Sequence, residues 1–176
     1  MDNSVTTFIL VIATIFVGIA IFGLFSAYYG INATQINQVK NIQQIASEFQ
    51  VRLIESQISN SETSFIVIPY IPNYKGTLYV SGFLISSQYV NSQPVVTPNL
   101  GQGFININGT SPVCSGLVNV QTDSDTSLYY GQICLQQTFP NAPQIIYLAT
   151  GQKAILWFLV FQNNQYYRIG YVLLSG

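Results

Sequence analysis

Few side chains in this 176-residue chain are able to do chemistry, and their spacing is informative. Histidine is absent, so neither a Ser-His-Asp nor a Cys-His relay is possible. Asp123 and Asp125 form the only close carboxylate pair. Such a pair is able to coordinate a cation, but the flanking Thr122, Ser124 and Thr126 fit a solvated turn better. Cys114 and Cys134 are the only cysteines. Without histidine they make no zinc site. In an exported chain an even count favours a disulfide over two buried thiols, closing a loop of about 20 residues and contributing ~3 kcal/mol. Asn32-Ala33-Thr34 and Asn108-Gly109-Thr110 match the N-glycosylation sequon, with Asn108 at an expected turn and Asn32 on an expected helix. GxSxG, GxxxxGK[ST] and GxGxxG motifs are missing. The expectation is a non-enzymatic protein without cofactor or metal.

Composition narrows the class further. Only 6% of residues are charged, against roughly 25% in average soluble proteins, while 49% are hydrophobic. The remainder is mostly Ser, Thr, Asn, Gln and Tyr, which hydrogen-bond without titrating near neutral pH. That texture suits an extracellular surface. A net charge of -1 gives no steering toward polyanions, so nucleic acid is not an expected partner. With only 6 acidic residues to protonate, the chain is also suited to acid, although a neutral surface in a crowded assembly explains the same composition.

These groups must be positioned by two kinds of element. No charge lies between Asp2 and Lys40. Residues 5–31 are almost continuously apolar and include Phe8, Ile9, Leu10, Val11, Ile12, Ile15, Phe16, Ile19, Phe22 and Phe25. A run of ~18 or more such residues is long enough to span a bilayer. The run lacks the basic start and cleavage pattern of a secretory signal. From Ile31 the pattern turns amphipathic, with Ile36, Val39, Ile42, Ile45, Phe49, Leu53 and Ile54 at helical spacing. Glu48 and Arg52 stand at i,i+4, and the first proline is Pro69. One helix over residues 3–58, ended near Ser59-Asn60-Ser61, is therefore expected, with a length on the order of 80 Å. Gly23 and Ala27, like Ser26 and Gly30, form small-xxx-small pairs that permit close helix approach.

Beyond the helix the chain breaks into short runs rich in Val, Ile, Tyr, Phe and Thr: 64–71, 77–85, 104–107, 113–121, 127–136, 144–149, 154–161 and 166–174. The expected fold class is α+β: residues 1–60 as a hydrophobic and amphipathic helix, and residues 61–176 as an antiparallel β-sandwich, Ig-like or similar, or a barrel-like sheet. The run from Ile155 to Phe161 is apolar on both faces, which suits a strand covered by an opposing sheet and by the helix. Asn163-Asn164 fits a hairpin turn.

This layout resembles mature archaeal type IV pilins, adhesion pilus subunits with an archaellin-like N-terminal helix. Residue by residue, the resemblance rests on the stretch from residue 4 to 30. It implies removal of a short basic leader, passage of the helix from the membrane into a filament core, and a type IV pilus assembly machinery. The polymerisation residues it implies are Phe8, Leu10, Val11, Ile12, Ile15, Phe16, Ile19, Phe22, Gly23, Phe25 and Ala27. The acid typical of the fifth position in bacterial pilins is replaced by Val5, which points to the archaeal branch. The sequence starts at Met1, so the expectation is either that it is the mature form or that the leader-removal reading fails. The expected function is an extracellular, glycosylated, acid-stable filament for adhesion, with copies of the chain as partners. A single-pass anchored binding protein and an archaellum-type motility filament are the alternatives.

Overall fold

A computed structural model describes residues 2–59 and 61–176, with side chains described for residues 5–56 and 61–176. Met1, Asn60 and the side chains of Asp2 and Ser4 lie outside the described set. The chain divides into two compact units, residues 1–40 and 41–176.

Helix α1 runs over Asp2–Glu48 and is followed by nine strands: β1 Gln50–Ser59, β2 Glu62–Tyr70, β3 Leu78–Ile85, β4 Gly101–Phe104, β5 Val113–Thr122, β6 Ser127–Thr138, β7 Gln144–Ala149, β8 Lys153–Gln162 and β9 Gln165–Ser175. The helix stops well before the expected end near residue 58. Residues 50–59 instead form an edge strand, with Val51 opposite Pro69 and Leu53 opposite Val67. Val51, Leu53 and Ile54 fit a strand as well as a helix, and β2 supplies a partner ladder that water does not. The expected Glu48–Arg52 helical pair is therefore lost, and Gln44 Nε2 donates to Glu48 Oε1 at 3.0 Å.

Packing, not a capping residue, places the junction. The Phe49 ring lies 5.1 Å from that of Phe158. It occupies the space beside Gly170, where any Cβ would collide with it. Glycine at that position in β9 is what lets the ring approach.

The β-rich unit holds two sheets. β1, β2 and β7 form an antiparallel layer in the order β1-β2-β7. The remaining strands run β4-β3-β6-β5-β9-β8, and a further β3–β8 pairing closes β3, β6, β5, β9 and β8 into a five-stranded barrel. All barrel pairs are antiparallel except β5–β9, where Val120, Gln121 and Thr122 face Tyr166, Tyr167 and Arg168 in parallel register. The fold is thus α+β with a mostly antiparallel β domain, and its main sheet closes on itself, the barrel-like alternative rather than the Ig-like sandwich. Closure removes the exposed edges that a sandwich leaves.

Two cores result. Phe83, Ile133, Ile155, Trp157 and Leu159 fill the barrel. Leu156, Phe158 and Val160 point the other way, against Phe65, Val67, Ile146 and the helix residues Ile42 and Ile45. β8 is buried on both faces, as its sequence implies. Its covers are the barrel interior on one side, and the three-stranded layer with the helix end on the other. The β8–β9 hairpin turns on Asn163 and Asn164, with φ of 49° and 64°, the left-handed pair that a two-residue turn of this hand requires.

Candidate functional site

The apolar half of α1 is bare on every side. Phe8, Ile9, Leu10 and Val11 are 67%, 61%, 61% and 50% exposed. Four consecutive helical positions sample the whole circumference, so the helix exposes apolar side chains on each of its faces. Ile12, Ile15, Phe16, Ile19, Phe22 and Phe25 are exposed as well. By length and composition the helix is able to cross a membrane, and the qualifying window is 0% buried. At ~1.5 Å per residue, residues 5–31 extend ~40 Å, beyond the ~30 Å of a hydrocarbon core.

A Cβ at Gly18, Gly23 or Gly30 would meet no atom within 4 Å. Two threonine hydroxyls of the helix are turned inward to the backbone: Thr14 Oγ1 donates to Val11 O at 2.8 Å, and Thr34 Oγ1 to Gly30 O at 3.0 Å. Threonines bonded in this way present methyl groups outward and leave no unmet donor, which suits an apolar surrounding.

Within the unit 41–176, the docking surface of the helix is shorter than its amphipathic pattern. Ile42 and Ile45 are buried at 0% and 9%, and Ala46 and Phe49 pack against the same core. Leu53 and Ile54 remain exposed. Leu53 and Ile54 leave the docking group because they belong to β1.

The disulfide joins Cys114 and Cys134, register partners on β5 and β6, and ties the hairpin across its ladder. Asn32 lies half-buried within α1. Asn108 stands at a two-residue turn, with φ of 54°. Its backbone N–H donates to Ile145 O at 2.8 Å, and its Oδ1 accepts from Ile145 N–H at 2.7 Å. Its Nδ2 donates to Gln144 Oε1 at 3.1 Å. Asn108 thus caps the free edge of β7 as a one-residue strand. A glycan on Nδ2 would leave one hydrogen for Gln144.

Asp123 and Asp125 sit in an exposed turn. Thr126 N–H donates to Thr122 Oγ1 at 3.2 Å, and Tyr167 Oη donates to Asp125 Oδ1 at 3.4 Å. Among the described residues no group of three or more His, Cys, Asp or Glu is placed to hold a metal ion.

One arrangement escaped the sequence reading. The Arg168 guanidinium lies 5.3 Å from the Trp157 ring centre and 5.2 Å from that of Tyr171. Arg168 Nη1 donates to Pro94 O at 2.8 Å, which fastens the 3-10 segment Ser87–Val95 to β9. Burial lowers the Arg168 pKa, and Tyr171 and Asp123 offset part of that shift. The only available signal was a single arginine inside an aromatic strand.

The chain has no match among protein-family models, curated proteins or solved structures.

Proposed function

We propose that this chain is the structural subunit of a helical extracellular filament of the type IV pilin class, assembled through residues 5–31 and used for adhesion. The observation that carries the reading is the exposure of four consecutive apolar residues, Phe8 to Val11, right around the helix. Hydrophobic surface of that extent needs lipid or protein around it. The open space at Gly18, Gly23 and Gly30 supports close approach of other helices. Before assembly the helix resides in the cytoplasmic membrane, from which a pilus assembly machinery extracts it. The subunit is non-enzymatic, and attachment arises from many weak contacts along the fibre. Glycans at Asn108 or Asn32 and tolerance of acid complete the reading.

Electron microscopy of the purified protein tests it. Filaments are expected, and they are expected to disappear in Phe16→Asp and Phe22→Asp chains whose β domain still unfolds cooperatively. Only monomers or micelles under all assembly conditions would sink the proposal. The length and hydropathy of α1 favour one second reading, a single-pass anchored binding protein. Permanent dependence on detergent after extraction would favour that anchor. An archaellum-type filament would be distinguished by rotation of tethered cells.

A further inference from the structure

The three-stranded layer buries one face and leaves the other partly exposed, with Ile66, Ile68 and Ile145 half-buried at its middle. Alternation along β2 sends Phe65 and Val67 into the core and leaves Ile66, Ile68 and Tyr70 on the opposite face. Register places Ile54 of β1 and Ile145 of β7 on either side of Ile66. Tyr147 stands opposite Ser64 on the same face. Ile54, Tyr70 and Tyr147 are 43%, 43% and 48% exposed, so the face is open to a partner. A solvent-facing side of an antiparallel layer is ordinarily polar, whereas this one has an unbroken isoleucine row across all three strands.

Two charges mark its ends. Arg52 is level with Ile68 on one side of the row, and Glu62, opposite Ala149, lies on the other. We infer that this face pairs with the same face of a second copy, with the β2 strands antiparallel. A two-fold axis along the Ile54–Ile66–Ile145 row lays Ile66 on Ile66 and brings the Arg52 end of each copy over the Glu62 end of the other. An axis along the strand would instead set like charges at the same end. Charge therefore selects the antiparallel arrangement, and the patch is complementary to itself, as an isologous contact must be. Stacked sheets lie ~10 Å apart, a gap that isoleucine and tyrosine side chains from both copies fill.

This pairing uses no residue of the apolar helix and does not rest on the filament reading. An isologous contact closes after two copies and does not propagate, so between filaments it would join neighbouring fibres.

Cysteine cross-linking in the full-length chain, held in detergent micelles, tests the contact. Because a direct disulfide does not span sheets ~10 Å apart, a short bis-maleimide is used as the linker, and with it Ile66→Cys is expected to give a covalent dimer on denaturing gels. Leu117→Cys, at an exposed position on the barrel hairpin, is expected to give none above background. Adding Arg52→Glu or Glu62→Arg alone to Ile66→Cys is expected to lose the dimer, and adding both is expected to restore it. Equal cross-linking at residues 66 and 117, or a double charge swap no better than the single ones, would overturn the pairing. Absence of filaments with the dimer intact counts against the helix reading alone.

Discussion

Two apolar runs in this molecule look alike as text and have opposite fates. The helix from residue 5 to 31 exposes its large apolar side chains among the described residues, whereas Ala154 to Val160 in β8 is covered on both faces, with each residue at 2% exposure or less. Apolar character alone does not tell where a segment ends up. What matters is whether the chain contains a cover of the right geometry. β8 has one because a strand offers two flat faces, and the fold provides a layer for each. A long helix presents its whole circumference, and a domain of this size has no surface left to wrap it.

That contrast can be broken from either side. The largest expected effect is on assembly. An aspartate at Phe16 or Phe22 should abolish filaments, yet shift urea unfolding of the β domain by less than ~0.5 kcal/mol, since no core residue changes. Trp157→Ala should do the reverse, costing the domain ~3–5 kcal/mol in urea unfolding, because Trp157 is fully buried and touches Phe83 and Tyr129 edge-on. Survival of filaments with Phe16→Asp would erase the distinction between the two runs. Next comes the hairpin staple, where Cys114→Ser with Cys134→Ser should cost ~3 kcal/mol, read in the same way. Arg168→Met should cost about 2 kcal/mol, because Pro94 O loses a charged donor and Trp157 loses its cation.

The smallest effects concern pH. Burial raises the phenols of Tyr74, Tyr129 and Tyr166 above the ordinary 10.0. A raised folded value means that this contribution is intact below the unfolded pKa and is lost as pH rises through the folded one. Thermal scans should therefore fall on the alkaline side, above about pH 10. With only 6 acidic residues in the chain, assembled material should persist to about pH 3, and dissolution before that point would contradict the acid reading.

Much of the architecture was legible in the residues. The apolar helix announced itself by length, and β8 by an uninterrupted run bounded by Lys153 and the Asn163-Asn164 turn. The cysteine pair led to a disulfide because two strands joined by a short turn carry it. What could not be read was non-local. The β3–β8 ladder pairs Leu78 with Val160, and nothing in either strand names the other. Residues 50–58 fit the period of a helix as well as that of a strand, and only the ladder with β2 decides between them. The Arg168 cluster depends on a barrel interior that exists only after closure.

That closure also sets an order of events. The β1–β2, β5–β6 and β8–β9 hairpins join neighbours in the sequence and can form early, at the microsecond timescale of local turns. The β3–β8 ladder must close a loop of some 70 residues, so contact order places it late. Until it forms, β8 is as uncovered as the helix. A newly made chain therefore carries two greasy segments, of which only one is due to vanish into its own fold. A chain whose helix is already sheltered by lipid while the barrel closes would be spared the encounter between them.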